Sequence, residues 1–327
     1  MKKLKFEKQT IKKAVASVVF VLLAIGMIVL LSLFFNEERL ETQTLKDVKP
    51  YSVLAEPDNT LDAVIFGDSE AFAAFSPVEM YNKYGFTSFV CASASQYITL
   101  TESFVRETLE HQKPKVIFLE TNAIFRKMNS TKPLESAIDA QFPVFPYHNL
   151  WKNFDPLNIN ENENDYCFRD DLKGFKYTAI VNKSDNKDYM KKTKEKQKIP
   201  ATNTSYVYSI YEYCQEKGVE LVFVSAPSTV HWNYAKHNTI AALAKKLGVK
   251  FIDLNLEDDI GINWNTDTCD RGDHVNYYGA TKVSAFFGKY VHNKFDLPDH
   301  RNDSAYSDWN QLKAKYDVVT GKKANKT

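Results

Sequence analysis

A serine in the surroundings of a nucleophile follows an early β-type run of the chain. Residues 63–66 are apolar and continue into Gly67, Asp68 and Ser69, and then into a helix-like stretch. A strand, a Gly-x-Ser turn and a helix would place the Ser69 hydroxyl at the carboxyl edge of a sheet, beside the free amides of a helix start. That position suits attack on a carbonyl group. Gly-Asp-Ser is also common in turns and helix caps, so the tripeptide alone does not establish catalysis.

A histidine with nearby acids stands much further along the chain. Asp270, Asp273 and His274 share one loop-like segment just before a helix-like stretch that ends near Phe295. Serine is a weak nucleophile until a neutral imidazole can take its proton, and a carboxylate fixes the tautomer of that imidazole. A lone histidine would be interpreted as a cap or a surface residue. Together with Ser69, however, His274 predicts acyl-transfer chemistry.

Short apolar runs alternate with amphipathic stretches through most of the chain, and they must position these side chains. The β-type runs are residues 63–66, 87–90, 115–119, 220–225 and 250–254; the helix-like stretches are 77–83, 99–111, 202–217 and 235–247. Near-continuous apolar strands between amphipathic helices are typical of a parallel sheet covered on both faces. We therefore predict an α/β fold with three layers, α/β/α, in which about five parallel strands form a doubly wound, flavodoxin-like sheet.

The alternation sets the domain boundaries. We expect one domain over residues 61–310, with an insertion at about 125–200 where the sequence becomes rich in Asn, Asp and Lys and loses its periodicity. Residues 311–327 are predicted to be a polar tail.

The N-terminal region predicts a membrane segment. Residues 14–35 contain no charge and are long enough to cross a bilayer as a helix, and six lysines precede them. The positive-inside rule then places residues 1–13 in the cytoplasm as a basic tail and everything after the helix outside, with residues 36–60 as a linker. The alternative is a cleaved signal peptide, against which stand the length of the apolar stretch and the missing A-x-A-like site.

Composition excludes several classes of function. The chain carries 42 basic and 41 acidic residues, so its charge predicts no affinity for nucleic acid. Its four cysteines are scattered without a CxxC pair, which argues against a zinc site or thioredoxin-like redox chemistry. Cys91 and Cys214 are expected to be buried free thiols. No metal or organic cofactor is predicted.

Two blocks of the sequence resemble a known family. Residues 67–69 match the first block of the SGNH/GDSL hydrolases, and the Asp-His-x-Asn-x-x-Gly stretch at 273–279 resembles their last block. More narrowly, the chain resembles the membrane-anchored SGNH proteins that accompany membrane-bound O-acyltransferases, such as the accessory proteins of teichoic-acid D-alanylation and alginate O-acetylation. The resemblance covers roughly residues 60–125 and 200–310. It implies a five-stranded α/β/α fold and Ser-His-Asp acyl chemistry on a carbohydrate or acyl ester.

The catalytic acid departs from the family pattern. The family acid usually stands three residues before the histidine, where this chain has Arg271. Asp270 and Asp273 are the available replacements. Asp270 is preferred, because Gly272 would allow the loop to fold back while an adjacent side chain such as that of Asp273 usually points away.

The oxyanion hole also departs from the family pattern, because the second block contains no glycine. A backbone amide at Ala92 or Ser93 would replace it, with the Gln96 side chain assisting. The asparagine of the third block is best matched by Asn122.

These residues predict an extracytoplasmic serine esterase or O-acyltransferase, and the resemblance together with the membrane segment implies that it acts on acylated cell-wall or exopolysaccharide glycans. The catalytic residues would be Ser69, His274 and Asp270, and a membrane-bound O-acyltransferase is the expected partner. The alternative is a catalytically silent module of the same fold that binds glycan or docks onto such an acyltransferase, since a fold does not fix a function.

Overall fold

The computed structural model describes residues 2–34, 49–128, 169–186 and 188–321, together with positions 138, 142 and 144. The chain divides into two compact units. One comprises residues 1–44 and 130–168, and the other comprises residues 45–129 and 169–327.

The described part of the first unit is dominated by one long helix, α1 (Lys2–Phe34). Within it, Ile11–Leu33 is the apolar part; its most apolar stretch of 18 residues has a mean hydropathy of 3.0 and none of that stretch is buried. The helix is long and apolar enough to cross a membrane, and a signal sequence would have the same properties. The prediction of one apolar N-terminal helix is therefore confirmed.

The second unit is built on a parallel sheet of five strands. They are β1 (Ala63–Gly67), β2 (Ser88–Ala92), β3 (Val116–Glu120), β4 (Glu220–Ser225) and β5 (Lys250–Asp253). Their order across the sheet is β2-β1-β3-β4-β5. This is the flavodoxin-like order, in which the direction of winding reverses between β1 and β3, and ligands bind at the carboxyl ends of those strands. The predicted fold class is confirmed.

Helices cover both faces of the sheet. They are α2 (Ser69–Ala74), α3 (Pro77–Tyr84), α4 (Ile98–His111), α5 (Ala201–Lys217), α6 (Tyr234–Leu247), α7 (Tyr277–Phe295) and α8 (Ser307–Thr320). Helices α2 and α3 pack against α7, and α4 packs against α5. The aromatic ring of Phe118 in β3 lies 4.8 Å from that of Phe287 and 5.8 Å from that of Phe295, both in α7. This aromatic contact attaches the helix that follows His274 to the centre of the sheet.

The domain extends beyond the predicted boundaries at both ends. Residues 49–55 form a 3-10 helix that packs on β2, so the linker predicted for 36–60 does not reach residue 60. Residues 35–48 lie outside the described residues. At the other end, α8 packs against α3 and buries Leu312 and Tyr316. The prediction of a polar tail from residue 311 is therefore wrong for residues 311–320, which belong to this helix. The amphipathic spacing of those two side chains is the reason that this segment folds.

The last part of the predicted insertion closes an edge of the sheet. The Lys173 carbonyl accepts a hydrogen bond from the Val90 amide of β2 at 2.9 Å. Gly174 has a φ of +89°, and a Cβ at that position would lie 1.9 Å from the Val90 carbonyl oxygen. Only glycine allows this close approach. The Lys173 ammonium forms a buried ion pair with Glu56 at 2.6 Å. Most of the predicted insertion between 129 and 168 lies outside the described residues.

The described cysteines Cys91, Cys214 and Cys269 are free, and the first two are buried as expected.

Candidate active site

Ser69 lies at the topological switch point, as the first residue of α2. The Asp68 side chain caps this helix by accepting a hydrogen bond from the Glu70 amide at 3.1 Å. Ser69 is half-buried, whereas Asp68 and Glu70 on either side are buried. The turn therefore leaves the serine as the accessible member of the segment, at the edge of the sheet where ligands bind in this fold.

The glycine before this turn is required by packing. A Cβ at Gly67 would lie 2.6 Å from the Cβ of Glu120 and 2.9 Å from that of Ala71. Real Cβ atoms do not approach this closely, so a side chain here would push β1, β3 and α2 apart. Gly67 thus explains how the strand can turn directly into the helix that carries Ser69.

The histidine loop folds back on itself. Arg271 and Gly272 both have positive φ values, +66° and +92°. The Asp270 carboxylate therefore reaches His274 twice, accepting from its backbone amide at 2.7 Å and contacting Nδ1 at 2.6 Å. A carboxylate can only accept, so Nδ1 carries a proton, and Nε2 of the neutral imidazole presents a lone pair. That is the tautomer of a general base.

The two candidate acids hold different positions. Asp273 Oδ2 lies 3.7 Å from Nδ1 of His274, beyond hydrogen-bond distance, and its Oδ1 lies 3.0 Å from Nε2 of His231. Burial raises the pKa of Asp273, but the neighbouring His231 and His274 imidazoles lower it more, so that it lies below its usual value. The geometry therefore favours Asp270 as the acid on the imidazole, and it gives Asp273 a second histidine as its partner.

His274 lies against the helix that carries Ser69. Its ring is nearly parallel to that of Phe72 in α2, with centroids 6.5 Å apart. Nε2 is buried and makes no hydrogen bond within the described part of the chain. The Ser69–His274 hydrogen bond is thus not formed in this structure, although both groups belong to the same corner of the site. Catalytic hydrogen bonds of this kind are often long before substrate binds.

The predicted oxyanion donors after β2 are partly engaged in their own loop. Ala92 pairs with Gly67 in the register of β1 and β2. The Ser93 amide, however, donates to Oε1 of Gln96 at 2.9 Å, and Nε2 of Gln96 donates to Thr101 at 2.9 Å. The Gln96 side chain therefore stabilises this turn. The Ser93 amide can donate to an oxyanion only after its hydrogen bond to Gln96 breaks.

Asn122, the remaining predicted donor, has a fixed amide orientation. Its Oδ1 accepts from the Lys236 ammonium at 3.0 Å and its Nδ2 donates to Asp68 Oδ2 at 3.1 Å. Lysine can only donate and a carboxylate can only accept, so the two contacts assign the same orientation. An amide nitrogen carries two N–H groups, and the Asp68 contact uses one of them.

The site also contains charged residues that sequence reasoning did not single out. Arg126 pairs with Asp68 at 2.8 Å, and Lys236, only 8% exposed, contacts Asn122 and the His231 carbonyl. Burial lowers the pKa of Lys236, and the negative charges of Glu120 and Glu70 partly offset this decrease. Lys236 stands near the start of an amphipathic helix, where a lysine is normally solvated, so nothing in its sequence context indicates this role.

Two buried carboxyl groups flank the serine turn. Burial, reinforced by the charge of Asp68, raises the pKa of both Glu70 and Glu120 well above their usual values. Glu120 accepts a hydrogen bond from the Asn122 amide at 3.0 Å. Burial therefore favours the neutral form of both groups. Atoms of the Glu70, Asp273 and His274 side chains lie within 4.8 Å of one another, so the serine turn and the histidine loop meet at this point.

The chain was compared with known proteins. Neither a protein-family model nor a curated protein matches the sequence. Three solved structures are similar at the level of the backbone: a GDSL-like lipase from Bacteroides thetaiotaomicron, the psychrotrophic esterase EstA from Pseudoalteromonas and a family 3 carbohydrate esterase from Clostridium thermocellum.

All three have a TM-score of 0.39 to this chain. Their sequence identities are 9%, 7% and 14%, in the same order. The matches cover 74%, 72% and 72% of this chain and 95%, 99% and 98% of theirs. At this degree of similarity, function has to be inferred from the side chains of this chain itself.

Proposed function

We propose that this protein is a serine esterase or O-acyltransferase of SGNH type that acts on acylated glycans outside the cytoplasm. The observation that carries the proposal is the Asp270–His274 pair, joined at 2.6 Å, with its free Nε2 beside the helix that begins at Ser69. A carboxylate on Nδ1 and an unoccupied Nε2 are what a serine nucleophile requires from its base.

The proposed reaction proceeds through an acyl-enzyme. Ser69 Oγ attacks the acyl carbonyl while its proton passes to Nε2 of His274. The tetrahedral intermediate then collapses, the bond to the sugar oxygen breaks, and the imidazolium returns the proton to that oxygen. In the second half, His274 deprotonates an acceptor that attacks the acyl group on Ser69; the bond from the acyl carbon to Ser69 Oγ then breaks, and the imidazolium returns the proton to Oγ. Water as acceptor yields a free carboxylic acid and makes the protein an esterase, whereas a sugar hydroxyl makes it a transferase.

The oxyanion would be held by donors at the switch point. The Ser69 amide, an amide at Ala92 or Ser93, and the second N–H of the Asn122 side chain are the candidates. Lys236 and Asp68 hold the Asn122 amide so that its nitrogen faces the side of Asp68, next to Ser69. A donor that is already oriented requires no reorganisation when negative charge develops.

The experiment that tests the proposal is covalent labelling with a fluorophosphonate probe, which reacts with an activated serine and releases fluoride. Full-length protein in detergent is expected to be labelled at Ser69, as located by peptide mass spectrometry. Labelling should disappear in Ser69→Ala and in His274→Ala. Ser228→Ala is the matched control, since Ser228 lies at the same edge of the sheet but donates to the Asp273 carbonyl.

A silent binding module is the second candidate, and two observations favour it. Ser69 and His274 form no hydrogen bond in this structure, and the Ser93 amide is occupied by Gln96. A folded protein without labelling at Ser69, but with saturable binding to acylated cell-wall glycan, would establish this alternative over the enzyme.

The proposed location is the cell membrane, with the N-terminus in the cytoplasm and the α/β body outside. The apolar stretch Ile11–Leu33 and the lysines before it support this location. There the protein would dock with a membrane-bound O-acyltransferase. Protease added to intact cells is expected to digest the body and spare a tag at the N-terminus, and the mature chain should retain that tag. A mature chain that begins after residue 35 would indicate a cleaved signal peptide.

A further inference from the structure

The proposed reaction leaves one buried group beside the nucleophile unexplained. Glu70 immediately follows Ser69 in α2, and it is only 2% exposed. Its Oε1 has no hydrogen-bond partner within the described part of the chain. A buried carboxyl oxygen without a partner is costly, and such groups occur where a protein uses them.

Glu70 is surrounded by other acids. Burial raises the pKa of Glu70, and it is raised further by the charges of Asp68 and Glu120 at the ends of β1 and β3 and of Asp273 and Asp270 in the histidine loop. Lys236 in α6 is the cation whose charge it senses. Arg126 already pairs with Asp68, and Lys236 does not neutralise the other acids, so ionisation would add an uncompensated buried charge and the neutral form is favoured. A neutral carboxyl group, unlike a carboxylate, has an O–H to donate.

The neighbour that can accept this hydrogen is Asp273. Atoms of the Glu70, Asp273 and His274 side chains lie within 4.8 Å of one another. Asp273 in turn lies 3.0 Å from Nε2 of His231 and 3.7 Å from Nδ1 of His274. A hydrogen bond from Glu70 would hold Asp273 beside the imidazole without adding charge to it.

We propose that Glu70 is a positioning residue that carries a proton and donates it to Asp273, so that Asp273 and Asp270 keep fixed places around the His274 imidazole. The inference rests on the proposed function, because it names a residue that positions the same general base, His274. It also explains why an acid can stand next to the nucleophile. Were Glu70 charged, a further negative group near His274 would favour the imidazolium, which cannot accept the Ser69 proton.

The test measures the titration of the His274 imidazole directly and does not require catalytic turnover. Full-length protein labelled with 15N-histidine in detergent is titrated by NMR from about pH 4 to pH 10, and the His274 signals are assigned by comparison with His274→Gln. Wild-type protein should show the imidazole's own transition and a second one when Glu70 ionises. Glu70→Gln keeps a donor without a titrating proton, so it should retain the first transition and lose the second. In Glu70→Ala the donor is lost, and the first transition itself should shift.

Glu120→Gln is the matched control, because Glu120 is equally buried near Asp68 but belongs to β3 rather than to the serine turn. It should keep the second transition. A Glu70→Gln titration that superimposes on the wild type would overturn the inference, as would loss of the second transition in Glu120→Gln alone. If Glu70→Gln does not fold, 13C-glutamate labelling of the wild type decides, since a Glu carboxyl must titrate at the pH of the second His274 transition.

Ester hydrolysis separates this inference from the proposed function. If the protein is an esterase, Glu70→Gln should retain activity within about threefold near pH 6 and lose the decline that the wild type shows at alkaline pH. Glu70→Ala should lose about tenfold or more. The protein could show the expected NMR titration and yet neither hydrolyse esters nor react with the probe. That result would confirm that Glu70 positions His274 and would contradict the proposal that the protein is an enzyme.

Discussion

Replacement of Asp270 by Asn is expected to lower kcat/KM for p-nitrophenyl acetate by about 10³- to 10⁴-fold. The His274 backbone amide donates to Oδ1 of residue 270, so the Asn oxygen should remain there. The Asn amide nitrogen would then face Nδ1 and force the imidazole proton onto Nε2. Nε2 could no longer accept the Ser69 proton. The lower end of the range reflects the exposure of the Asp270 side chain, which is 40% accessible and therefore screened by water.

Asp273→Asn is the matched control for this prediction. It makes the same chemical change one residue from His274, but at a side chain 3.7 Å from Nδ1 rather than 2.6 Å. We expect a loss of no more than about tenfold, since the tautomer is set elsewhere. Greater loss in Asp273→Asn than in Asp270→Asn would reverse the assignment of the acid. Equal inactivity of all forms, including the wild type, would favour the binding module.

The fold could be predicted because its signals are local. Each strand is a short apolar run, and each of the five predicted runs coincides with an observed strand to within about two residues. The winding of such a sheet then follows from general rules of chain connection. The adjacency of Asp270 and His274 was predictable for the same reason, since it depends on a short loop in which Gly272 signals the turn; the positive φ of Arg271 had no such signal.

The charged residues that hold the site in place, Lys236 and Arg126, could not be predicted because their roles depend on contacts between distant parts of the sequence. Lys236 reaches Asn122 from a helix more than a hundred residues away in sequence, and Arg126 reaches Asp68 from another element. Neither residue type nor spacing distinguishes these two side chains from ordinary surface cations. The burial of Glu70 could not be predicted either, because an acid in the first turn of a helix is common and is normally solvated.

The second large effect is expected at Gly272, where Ala should lower the free energy of unfolding by about 2–4 kcal/mol. Gly272 has a φ of +92°, and an added Cβ would lie 2.0 Å from Thr229 Oγ1 and 2.5 Å from Ser184 Oγ. Those two hydroxyls bond to each other at 2.8 Å, and the Gly272 carbonyl accepts from the Thr229 amide at 2.7 Å. The loop therefore cannot move aside without breaking its own anchors. Denaturant unfolding of the full-length protein in detergent measures the loss.

Gly261→Ala separates backbone strain from steric clash. Gly261 has a φ of +67°, but nothing lies within 4 Å of the position of its missing Cβ. Its Ala variant should therefore lose only about 1 kcal/mol, the cost of a left-handed backbone for a residue with a side chain. Gly272→Ala should also impair hydrolysis, because Asp270 can reach His274 only through this turn. If both variants lose equal stability, strain alone would explain Gly272. If Gly272→Ala retains full activity, the fold-back of Asp270 onto His274 would not depend on this glycine, and the sequence signal that favoured Asp270 would be accidental.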